Sequence, residues 1–154
     1  VDPITVILPI VTLLLGAGAS AGVDAIKHRR DRRDKRVEAL RAAQVEDCTR
    51  FLDAVHDAAH RLGRTAPDCP YPLPRGEHHY WGADADAARA MRRIEVSCPD
   101  DVRDAARIVV ARLRSFRDVV EDLPYGGPQY QSALRPFQQA RGDFIAQARM
   151  LALS

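Results

Sequence analysis

A chain of 154 residues has room for one soluble domain after an anchoring segment, not for two. The net charge of +2 hides an asymmetry: seven basic and two acidic residues at positions 27–36 give a local +5 and leave −3 on the remainder. That excludes the remainder as a polyanion binder by charge, and the three cysteines, odd in number and without metal-ligand spacing, exclude a zinc framework.

Residues 3–23 hold no ionisable side chain, and the length of the run is that of a helix crossing the hydrocarbon core. A cleaved signal peptide is the competitor, and the run Ala17-Gly18-Ala19-Ser20-Ala21 looks like a cleavage site. Signal peptides, however, carry positive charge before the apolar core, whereas here only Asp2 precedes it. Lys27, Arg29, Arg30, Arg32, Arg33, Lys35 and Arg36 follow the run, which places them in the cytoplasm and the N-terminus outside. Beside an anchor these side chains face anionic lipid headgroups; nucleic-acid binding is the alternative, and it would need a basic face on the folded domain too. Of the 23 basic residues only Lys27 and Lys35 are lysine, a bias that suggests a GC-rich bacterial coding sequence and hence the inner membrane. Gly18 and Gly22, four apart, let two membrane helices approach closely.

From residue 23 to residue 62 there is neither Gly nor Pro, which predicts a stalk helix continuous with the anchor. Residues 24–36 are its basic neck. Beyond them Val37, Leu40, Cys48, Phe51, Leu52, Val55, Ala58, Ala59 and Leu62 repeat with a period of 3.6, and Gly63 is expected just past the helix end. Residues 64–82 hold four prolines and read as a long loop. A short helix is expected over 84–96, with Asp84 as N-cap and Ala87, Met91 and Ile94 facing inward. Ser97-Cys98-Pro99-Asp100 reads as the next helix start, with Ser97 among the capping signals. Val102, Ala106, Val109, Leu113, Phe116, Val120 and Leu123 then alternate steps of four and three, a coiled-coil-like seam. Pro124 to Pro128 is a turn cluster, and a last helix over 129–153 carries Tyr130, Leu134, Phe137, Phe144, Ala148 and Leu151. Pro136 should kink that helix or mark its true start. No segment alternates with period two, so the fold class is all-α: the anchor and stalk helix packed with two or three further helices as an antiparallel bundle over residues 37–154.

Few side chains here suggest chemistry. Asp53, His56 and His60 share a helix face, and two histidines four apart can hold a metal, with His78 or His79 as a further ligand. That face lies away from the apolar stripe, and no Glu accompanies the pair as a base, so the expectation is no metal and no cofactor. Cys69 is read as a free loop thiol, and all three cysteines as reduced in a cytoplasmic domain; with reversed topology Cys69 and Cys98 would be the natural disulfide pair. Asp84 and Asp86 fit a helix N-terminus better than a catalytic carboxylate pair. Phosphate loop, nucleophile elbow and dinucleotide fingerprint are absent, so no catalytic residue and no small-molecule substrate is expected. Tyr71, Tyr80 and Trp81 sit in the proline-braced loop, where they either dock a partner or cap the bundle.

The layout of apolar run, arginine-rich neck and small helical domain loosely resembles that of uncharacterised bacterial single-pass membrane proteins. The resemblance spans the whole chain, rests on layout rather than a diagnostic motif, and implies no activity. The expected role is a non-enzymatic scaffold or adaptor that binds itself or a protein partner at the membrane. Alternatives are a metal- or redox-responsive sensor or enzyme using the Asp53, His56 and His60 face, and an oligomeric membrane-perturbing effector.

Overall fold

The computed structural model describes the backbone of residues 3–73 and 82–153 and the side chains from residue 28 onward within them. The described residues are all-helical. They form α1 (Pro3–Gly63), α2 (Ala85–Ser97), α3 (Asp100–Val120) and α4 (Pro128–Leu153). Contacts divide the chain into two units, Val1–Leu40 and Arg41–Ser154.

In the first unit α1 is helical from Pro3, as a segment free of glycine and proline after residue 22 allows. Every side chain from His28 to Leu40 is exposed. Among the described residues no helix is long and apolar enough to cross a membrane. The expectations for the 3–23 run, for Gly18 and Gly22, and for Lys27 fall on side chains outside the described residues.

The second unit is the bundle. Phe51 and Phe144 meet edge-on at 4.9 Å between ring centres, which seats α4 against α1. The Ser97 hydroxyl donates to the Asp47 carboxylate at 2.9 Å, and the Gln44 amide donates to the Ser97 carbonyl, which join α1 and α2. Arg107 pairs with Glu95 at 3.6 Å across α2 and α3, and Phe116 meets Tyr130 at 5.4 Å across α3 and α4. The helices therefore run around the bundle in the order α1, α2, α3, α4. The core between them is the expected stripe of each helix: Phe51, Val55 and Leu62 of α1, Ile94 of α2, Leu113 and Phe116 of α3, and Phe144 of α4 are at most 1% exposed.

Four expectations are corrected by the packing. Val37 and Leu40 continue the period of α1 but are 50% and 56% exposed, because a periodic stripe is buried only where another helix lies against it. Gly63 is the last helical residue, not the one after it. Ser97 caps nothing: it closes α2, bonds Asp47 and the Arg93 carbonyl, and leaves Pro99 at the N-cap position of α3. Pro136 lies inside α4 and does not start it. It removes one bond to the Ser132 carbonyl, which is tolerable because both residues are exposed to water.

Candidate functional site

Asp84 holds the N-cap position of α2, as expected, yet its side chain makes no capping hydrogen bond. Its carboxylate, 10% exposed, instead accepts from Arg114 Nε at 3.2 Å and Arg117 Nη1 at 3.3 Å. It is thus a structural clamp between the start of α2 and the second half of α3. Asp86, two residues on, is held below the usual carboxylate range by its bond to Arg89. Each of the two carboxylates is thus bonded to its own arginines.

The side chains of Asp53, His56 and His60 are exposed on α1. His56 and His60 border a groove of about 200 Å³ with Tyr130, Gln138 and Arg141, and Asp53 lines a separate one with His56 and Arg141. Among the described residues no three His, Cys, Asp or Glu side chains gather closely enough to hold a metal. His78, His79, Tyr80 and Trp81 lie outside the described residues. Tyr71 is 77% exposed; its carbonyl accepts from Arg64 Nε at 2.7 Å, so its backbone is fixed while its ring faces solvent. The loop's inner ends are packed: Ala66 and Ala83 belong to the core, and Tyr125 N donates to the Pro67 carbonyl at 2.8 Å.

The cysteines form no disulfide, and the contact between two of them is one that no spacing in the sequence suggested. All three are free, but Cys98 lies beside Cys48, not Cys69, and both are buried in the core. Burial, then the hydrogen-bonded Cys98 thiol, pushes the Cys48 thiol up to about 12. Such a thiol stays protonated at neutral pH and is a poor nucleophile. No sequence spacing announces this contact, because it joins residues from α1 and from the turn between α2 and α3.

Two grooves of opposite charge were also not legible as sites. Between α1 and α2 lies an open groove of about 830 Å³ lined by Arg50, Arg89, Arg92 and Arg93 with Asp47 and Asp86. Val96, 90% exposed, stands on its rim. Between α3 and α4 a groove of about 370 Å³ is lined by Asp101, Asp104 and Asp143 and by no basic residue. Its floor is Ala105 and Ala140, and Ile108 is half exposed along it. The predicted seam on α3 is not an open surface: Val102, Ala106, Val109, Leu113, Phe116 and Val120 are the bundle's own core. Compared with family models, curated proteins and solved structures, the chain matches none of them.

Proposed function

We propose that the chain is a single-pass membrane-anchored scaffold or adaptor whose helical domain binds itself or a protein partner at the cytoplasmic face of a bacterial inner membrane. One observation supports this reading above the others. Six of the seven neck cations, from Arg29 to Arg36, are exposed on α1 about two to four turns past the end of a run of 21 uncharged residues. Cations in that position gain about 1 kcal/mol each against anionic headgroups and orient the helix with the bundle inside.

Fractionation of cells expressing the full chain tests the reading. The chain should sediment with membranes, resist carbonate extraction, and keep a C-terminal tag protected from protease in intact spheroplasts. Deleting residues 3–23 should release it. A full chain that stays in the soluble fraction overturns the anchor, and a tag cleaved in intact spheroplasts overturns the orientation.

A further inference from the structure

The outer faces of the bundle carry opposite charge on opposite sides. In the ring of four helices, the α1–α2 groove and the α3–α4 groove are across the core from one another. Arg89, Arg92, Arg93 and Val96 fall at intervals of three, one and three along α2, so they form one exposed ridge. Arg92 lines the grooves on both sides of α2, which marks it as the crest. The α3–α4 groove offers what such a ridge lacks: three exposed carboxylates, a floor of small side chains and a half-exposed isoleucine.

We infer that this domain associates head to tail, the α2 ridge of one copy seating in the α3–α4 groove of a second copy. The occupant is argued from complementarity. A ridge of side chains fits a groove between two helices. Val96 meets an alanine floor, where Ile108 adds apolar area. The arginines meet Asp101, Asp104 and Asp143. The arrangement rests on the self-association reading above and specifies its surface. It is heterologous, so each copy keeps a free ridge at one end and a free groove at the other, and association continues into rows. The contact is also weak. Arg89 and Arg93 already pair with Asp86 and Asp47, Asp104 already pairs with Arg107, and exposed ion pairs contribute little. Holding the copies on one membrane raises their effective concentration and makes such a contact useful.

The test uses the full chain reconstituted in lipid vesicles at low salt, with Cys69→Ser to remove the half-buried thiol. Val96→Cys chains, Ile108→Cys chains and a mixture of both are treated with a short bis-maleimide. Head-to-tail docking gives a cross-linked dimer in the mixture and little in either sample alone. The dimer should fall about tenfold when Arg89→Glu and Arg92→Glu are added to the Val96→Cys chain. It should return when the Ile108→Cys partner also carries Asp104→Arg and Asp143→Arg, since both charges are then reversed together. Equal cross-linking in all samples, or a yield insensitive to charge reversal, overturns the inference. If Gly18→Leu with Gly22→Leu abolishes that charge-insensitive association, copies meet through the anchor and the scaffold reading stands. A wild-type chain that is monomeric in those vesicles at low salt overturns both this contact and self-association.

Discussion

Cys48 and Cys98 show how a single contact changes the chemistry of a residue type. A cysteine in water ionises near 9.0, and Cys48 is held protonated to about 12 by burial and by its neighbour. Tyr130 is likewise moved from 10.0 to about 12, chiefly by burial and then by Tyr125. Above these ordinary values the unfolded chain releases protons that the native chain retains. Stability therefore falls as pH rises from about 9 toward about 12. Urea unfolding at a series of pH values from about 8 to about 11 should show that decline, and Cys48→Ala and Tyr130→Phe should each flatten it. A decline that neither substitution alters assigns the alkaline sensitivity to other groups. Cys48 was legible as a core residue because it falls on the stripe of α1. Its partner was not, because Cys98 lies on a distant turn whose position depends on how α2 is folded back.

At the scale of the helix, two glycines make the same substitution act in opposite directions. Gly142 lies in the middle of α4 with nothing near the position a Cβ would take, so Gly142→Ala should stabilise the protein by about 0.5–1 kcal/mol. Gly63 ends α1 under Tyr130, whose hydroxyl would stand 2.5 Å from an added Cβ. That ring is held between Phe116 and Tyr125 and has little room to retreat. Gly63→Ala should therefore cost about 1–3 kcal/mol, and Tyr130→Phe in the same chain should recover part of the loss. Thermal melts of the wild type and these three variants decide both signs; a neutral Gly63→Ala means that the ring shifts freely. Helix existence was readable from period and punctuation, as α3 shows: six of its seven seam positions are buried, and Leu123 follows partly buried beyond its end. What the seam faces was not readable. A heptad pattern has the same form whether its partner is another chain or, as here, the α4 of its own bundle.

At the scale of the molecule, among the described residues the core begins at Cys48, and every core side chain lies in the unit Arg41–Ser154. A fragment starting at Arg41 should then melt cooperatively within about 2 °C of the full chain, as followed by circular dichroism. A markedly lower transition means that the first unit contributes to the fold. By itself the sequence determined the all-α class, the approximate helix limits, the inward stripes of α2, α3 and α4, and the concentration of positive charge at 27–36. These are local properties: period, Gly and Pro placement, and charge count act within a few turns of the chain. Only the tertiary structure decided that Cys48 meets Cys98, that Asp84 is clamped by Arg114 and Arg117, and that arginines and aspartates gather on opposite grooves. Each of these joins side chains far apart in the sequence. Their meeting is set by how helices pack around a shared core, where the same apolar stripes are compatible with more than one neighbour.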